Sequence, residues 1–257
     1  MSFSTKMICL EKGHYPFKCY PSKKCKDVLF PGCAFPSQFP KTMMVIAKVC
    51  NNHGCGVAYA CCGHPLDGYG VHGGTDRVLR GIEKRLKKIG CERVVVLCPN
   101  CWKLMRGRLQ LPVVSIYEYL KEIDFKPATS VAEVHGKLFV PCPDRPGHEL
   151  ESEVRGCVSF ENVETMSKVP CCGLLPEIMA KGPEAVQKCT HKVMDAAENE
   201  TIITYCASCL GQFSRLGNDN CAHVLSLILG VNEVPDSKNA FMNRAKCKFA
   251  KNCNPVV

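Results

Sequence analysis

Ten of the chain's 21 cysteines fall into two copies of one spacing. In the first copy, Cys33 is followed after 27 residues by Cys61-Cys62-Gly63, and 35 residues separate Cys62 from Cys98-Pro99-Asn100-Cys101. In the second, Cys142 is followed after 28 residues by Cys171-Cys172-Gly173, and 33 residues separate Cys172 from Cys206-Ala207-Ser208-Cys209. Corresponding cysteines lie 108 to 110 positions apart, so the chain is a tandem repeat. A CxxC turn lets two sulfurs face one metal centre, which is why it recurs in zinc and iron–sulfur sites. Adjacent cysteines on a strand would point to opposite faces. Both can serve one centre only from an irregular loop, for which Gly63 and Gly173 supply backbone freedom. Zinc takes four ligands and would be crowded by two neighbouring thiolates. A polynuclear iron cluster offers several metal corners to five. Dithiol exchange at Cys98 and Cys101 is a further option, but it leaves the Cys-Cys-Gly units without a role.

Each cysteine group directly follows a short apolar run. Val28-Leu29-Phe30 and Leu138-Phe139-Val140 precede the lone cysteines, and Val57-Ala58-Tyr59-Ala60 and residues 163–170 precede the Cys-Cys-Gly units. Arg93-Val94-Val95-Val96-Leu97 and Thr201-Ile202-Ile203-Thr204-Tyr205 precede the CxxC units. Runs of this length and composition suit buried strands. Between them, 75–89 (Val78, Leu79, Ile82, Leu86) and 184–199 (Val186, Cys189, Val193, Ala196) carry helical periodicity, and 114–123 and 221–229 read as closing helices. Strands alternating with helices imply parallel βαβ units with functional loops at the strand C-termini. The expected fold is therefore α/β: two tandem Rossmann-like halves, 28–124 and 135–232, with parallel sheets related by a pseudo-two-fold axis, each carrying one cysteine site. Residues 1–27 read as a cysteine-containing N-terminal extension, 233–257 as a basic C-terminal extension, and 125–134, with Lys126-Pro127-Ala128-Thr129-Ser130, as the linker.

The totals narrow the function classes. Apolar residues make up 46 % and charged residues 22 %, enough for an ordinary buried core without metal to rescue it. No apolar run in 1–27 suits a signal peptide and no 18-residue apolar stretch suits a membrane span, so a cytoplasmic location is expected, where cysteines persist as thiols or metal ligands. The net charge of +9 treats every thiol as neutral; ten thiolate ligands would take it to −1 before any iron is counted. The basic residues are scattered without aromatic interleaving, so nucleic acid is not an expected partner. No Gly-rich phosphate loop follows a strand, so neither flavin nor nicotinamide is expected on this chain.

The order Cys, Cys-Cys-Gly, CxxC, present twice over residues 26–230, resembles the cysteine-rich CCG-domain family. That family includes the cysteine-rich subunits of heterodisulfide reductase, of anaerobic glycerol-3-phosphate dehydrogenase and of lactate-utilisation complexes. The segments Val113-Val114-Ser115-Ile116-Tyr117-Glu118-Tyr119-Leu120 and 221–229 are similar to the family's as well. The resemblance implies two 4Fe–4S clusters of the noncubane type. Cys33, Cys61, Cys62, Cys98 and Cys101 would bind one, and Cys142, Cys171, Cys172, Cys206 and Cys209 the other. It further implies an oxidoreductase of the heterodisulfide reductase type, working within a complex, that reduces a small-molecule disulfide with electrons from a flavin- or ferredoxin-type iron–sulfur partner, or a non-catalytic relay between a dehydrogenase and a quinone or other carrier. The motif gaps of 27 and 28 residues are shorter than the resemblance leads one to expect, and Pro141-Cys142-Pro143-Asp144 lacks a histidine that many relatives carry, which leaves room for a cubane with one spare thiol.

Outside the motifs, His64 could protonate a leaving thiolate or hydrogen-bond a cluster sulfur, or be a plain loop histidine. Trp102 could shield the first cluster or simply pack. Cys9, Cys19, Cys25, Cys247 and Cys253 could together form an additional metal site at the termini, or be free thiols. Cys55 and Cys157 are the natural substitutes if the ligand set differs.

Overall fold

Runs of β-branched and aromatic residues become the strands, and the amphipathic stretches between them become the crossover helices. The computed structural model describes residues 3–128 and 133–256. The first half contains α1 (Phe3–His14), β1 (Asp27–Phe30), α2 (Phe35–Gln38), α3 (Pro40–Asn52), β2 (Gly56–Val57), α4 (Pro65–Gly68), α5 (Gly74–Lys88), β3 (Arg93–Val96), α6 (Pro99–Arg106), β4 (Val113–Ser115) and α7 (Ile116–Glu122). The second contains β5 (His135–Leu138), α8 (Glu149–Cys157), β6 (Asn162–Thr165), α9 (Pro176–Met179), α10 (Pro183–Asp195), β7 (Ile202–Thr204), α11 (Ala207–Arg215), β8 (Cys221–His223) and α12 (Val224–Ile228), and α13 (Ala240–Phe249) follows. The expected linker falls partly on 129–132, outside the described residues.

Each half carries a four-stranded, all-parallel sheet, in the order β2-β1-β3-β4 and, correspondingly, β6-β5-β7-β8. The α/β fold in two tandem halves is as expected. Val28, Leu29, Phe30, Val94, Val95, Ile202 and Ile203 are fully or almost fully buried, as strands covered by helices on both faces must be.

Three helical expectations need correction. Residues 114–123 and 221–229 are not single helices: each begins as a strand, β4 or β8, and turns directly into α7 or α12. The switch falls on the last strand residue, whose side chain caps the helix. Ser115 Oγ accepts the Tyr117 and Glu118 N–H groups at 3.1 and 3.0 Å, and His223 Nδ1 accepts the Leu225 N–H at 3.1 Å. The helix expected to reach residue 199 ends at Asp195, because Glu198 and Asn199 take left-handed backbone conformations.

Contacts between the halves are reciprocal, as a pseudo-two-fold relation requires. Arg106 of α6 pairs with Glu149 of α8, while in the opposite sense α11 packs on α2, with Gly211 against Gln38. Likewise α7 packs on α8, and α12 meets α3 through Thr42 Oγ1 and Ser226 Oγ, 2.9 Å apart. A carboxylate from beyond α12 completes the junction: Glu233 accepts the Lys41 and Thr42 N–H groups at 2.8 and 2.7 Å, serving as the missing N-cap of α3.

Candidate metal centres

In each sheet the chain runs from an inner strand to one neighbour and then crosses to the other side, so the loops after three adjacent strands share one edge. Cys33 follows β1, Cys61 and Cys62 follow β2, and Cys98 and Cys101 open α6 after β3. Cys142 follows β5, Cys171 and Cys172 follow β6, and Cys206 and Cys209 open α11 after β7. Cys98 and Cys206 are the N-cap residues of their helices. The positive helix ends therefore face the sulfurs.

The sulfurs touch in the same pattern in both halves. In the first half Cys33 is coupled electrostatically to Cys61, and Cys101 to both Cys62 and Cys98. In the second half Cys142 is coupled electrostatically to Cys171, and Cys209 to both Cys172 and Cys206. The Cys62–Cys101 contact measures 3.1 Å. Gly63 and Gly173 turn the loops with φ of 77° and 95°. At Gly173 an added Cβ would lie 2.7 Å from the Val186 carbonyl oxygen. Each of the ten motif cysteines follows a strand of its sheet.

The supports of the two sets differ. In the first, Lys12 of α1 reaches Cys33 Sγ at 3.6 Å and Glu11 at 3.3 Å. Burial opposes the Lys12 charge, but the Cys33 and Cys61 thiolates outweigh it and raise the lysine's pKa. The hydrogen bond from Cys61 pulls the Cys33 thiol down to about 5, with Lys12 and Arg244 adding to the effect. In the second set, the Cys142 thiol pulls Cys171 down to about 6, helped by the Gly173 and Leu175 N–H groups and by Arg145. Arg145 donates to the carbonyls of Val140, Val169 and Pro170 at 3.0, 2.8 and 2.9 Å, tying the loop of the lone cysteine to that of the Cys-Cys-Gly unit. The adjacent Asp144, 2 % exposed, accepts the Leu150 and Glu151 N–H groups, each at 2.9 Å, and the Tyr205 hydroxyl at 2.6 Å.

A cavity of about 250 Å³ is lined by all five sulfurs of the first set and by no cysteine of the second. Its opposite wall comes from the second half: Leu174, Leu175, Pro176, Met179 and Ser208. His64 lines this cavity but hydrogen-bonds no sulfur. Trp102 is buried beneath Arg106, 4.5 Å from the ring centroid, and does not line it.

The other cysteines lie elsewhere. Of the terminal five, Cys19 and Cys253 are coupled to each other and, with Cys247, lie near Tyr59; Cys247 also faces the Pro36 carbonyl, Cys25 lies against Gly56, and Cys9 stands on α1. Cys55 precedes β2 and bonds Cys50, at the other end of the strand from the motif, and Cys157 ends α8. Lys12, Asp144 and Arg145 carried no local signal in the sequence; each acts through partners distant along the chain.

Among the described residues, no three His, Cys, Asp or Glu side chains are poised to hold a metal ion as they stand. The donor set nevertheless fits a polynuclear group. Five soft sulfurs line one concave space, and loading would draw apart thiols that now touch.

The CCG model, a cysteine-rich domain, matches residues 28–106 and 137–214, which takes in all ten motif cysteines. The chain belongs to this cysteine-rich CCG-domain family, and membership suggests an iron–sulfur redox role. No curated protein sequence matches it. Among solved structures, a glutamate racemase from Campylobacter jejuni subsp. jejuni is similar at 10 % identity and TM-score 0.37, over 79 % of this chain and 82 % of that one. Glutamate racemase isoform RacE1 from Bacillus anthracis gives 15 % and 0.38 over 90 % and 86 %, and allantoin racemase from Klebsiella pneumoniae 14 % and 0.34 over 91 % of each. These scores are too low to assign a shared activity. No helix among the described residues is long and apolar enough to cross a membrane.

Proposed function

We propose that each cysteine set holds one 4Fe–4S cluster of the noncubane type and that the chain reduces a small-molecule disulfide, as the resemblance to the cysteine-rich subunit of heterodisulfide reductase implies. The carrying observation is the recurrence of one five-sulfur contact pattern in both halves, with all five sulfurs of the first lining a cavity. Two electrons from a flavin- or ferredoxin-type iron–sulfur partner and two protons convert RSSR′ to RSH and R′SH. When bound, such clusters supply single electrons and Lewis acidity.

The chain's own groups set the conditions. Lys12 places a half-buried cation against Cys33 and Cys61, offsetting thiolate charge. Leu174, Leu175, Pro176 and Met179 wall the cavity with apolar surface and limit water at the sulfurs. The cavity meets only the first set, so that set would lie beside a bound disulfide, and the second set would hold the cluster that supplies it with electrons.

Protein purified without oxygen should contain about eight irons per chain, and Cys62→Ser or Cys172→Ser should each reduce this to about four. Colourless, iron-free protein refutes the reading. Iron-replete, reduced protein should cleave a disulfide with no partner present; failure there leaves electron relay alone.

A further inference from the structure

A second concavity, of about 220 Å³, adjoins the first cysteine set, and Lys12 and Cys61 line both spaces. It is enclosed by the end of α1, the segment running on to Tyr20, and one face of α5. Its wall carries Lys12, His14, Lys18, Arg77 and Arg85 and not one Asp or Glu. Arg77, Gly81 and Arg85 follow one another at single-turn spacing on α5, so both arginines rise from the same face, with the Arg85 guanidinium folded back over Gly81. Val78, Ile82 and Ala60 supply apolar lining.

Of these side chains, only Lys12 has a carboxylate partner among the described residues. Lys12 is engaged by Glu11 and Cys33. Arg85 donates to the Gly81 carbonyl at 2.8 Å and lies 5.7 Å from the Tyr20 ring centroid, but has no carboxylate partner. Among the described residues, the Lys18 and Arg77 side chains make no hydrogen bond or ion pair. Like charges gathered on a concave wall repel one another and concentrate anions. Guanidinium forks in particular match the paired oxygens of carboxylate and phosphate. Lys12, His14 and Lys18 lie outside the stretches that match the family, so this pocket is an addition to the shared domain.

We propose that this pocket binds the oxyanion group, carboxylate or phosphate, of a small molecule held beside Cys61. Its volume admits one such group with a short carbon chain and excludes a folded partner. The assignment is independent of the reaction the cysteines carry out.

The full chain would be titrated calorimetrically with inorganic phosphate and, separately, succinate, with sodium chloride holding ionic strength constant. At least one anion should bind at one site per chain with a dissociation constant below roughly 20 mM. The double variant Arg77→Gln/Arg85→Gln, altered only at exposed positions, should weaken binding about tenfold or more. Lys84→Gln/Lys88→Gln, on the same helix but outside the pocket, should change it less than about twofold. Tighter phosphate binding identifies a phosphorylated molecule, and tighter succinate binding a carboxylate. No saturable binding of either anion, or equal weakening by the two double variants, overturns the proposal.

Discussion

The two halves hold the same five sulfurs in the same contacts, yet they secure them differently. The second set is braced from within its own repeat: Arg145 gathers three loop carbonyls and Asp144 gathers three donors. At the equivalent positions in the first half stand Pro36 and Phe35, which offer no charge. Support there arrives from the termini, through Lys12 on Cys33, Arg244 on Glu11, and the pairing of Cys19 with Tyr59. A duplicated site can thus keep its ligands while each copy finds its own scaffold. What is preserved is the geometry after the strands; what diverges is whatever holds the loops still.

Removing the internal brace should have the largest effect. Asp144→Ala strands two amide N–H groups and a buried hydroxyl and should cost about 3–5 kcal/mol in urea unfolding. Amide exchange should locate the loss in β5 and β7, and an equal loss in β1 and β3 would break the distinction between the halves.

The paired caps Ser115 and His223 give the next contrast. Burial, which disfavours the charged ring, pushes the His223 pKa down to about 3. In the unfolded chain it returns to about 6.5, so below that pH the unfolded state binds a proton that the native state refuses. Stability is therefore fully present above about pH 6.5 and falls by up to roughly 1.4 kcal/mol per unit as pH drops toward 3. Compared with its own value at neutral pH, a His223→Gln variant should lose less stability than wild type at about pH 4.5, whereas Ser115→Ala should follow the wild-type slope. Parallel slopes for all three proteins would show that His223 does not set the acid limit.

The smallest contrast lies in the motif glycines. Gly173→Ala drives a methyl onto a backbone oxygen at 2.7 Å, whereas Gly63→Ala meets the Val78 Cβ at 3.1 Å, a looser contact. Both have positive φ, so the expected costs are roughly 2–3 and about 1 kcal/mol. Equal thermal shifts would show that the two loops yield equally.

Much of this was legible in the sequence because it is local. Apolar runs such as Arg93–Val96 announce buried strands, and the cysteine spacing marks the loops that follow them. The fourth strand of each sheet is hidden because Ser115 and His223 end a strand and cap a helix at once, leaving no breaker between the two. Lys12, Asp144 and Arg145 are hidden for another reason. A lysine, an aspartate and an arginine mean nothing by type until folding brings Cys33 to the first, Tyr205 to the second, and Val169 and Pro170 to the third.

The convergence of the terminal segments on β2 bears on self-association. The outward Val57 N–H is taken by the Cys253 carbonyl at 2.9 Å, and Tyr59 exchanges hydrogen bonds with Cys19. A neighbouring chain therefore finds no open backbone ladder there on which to add a strand. The corresponding margin, β6, leaves Asn162, Glu164 and Thr165 exposed and depends on its shortness and on the Glu164 charge, paired with Lys137, to discourage the same event.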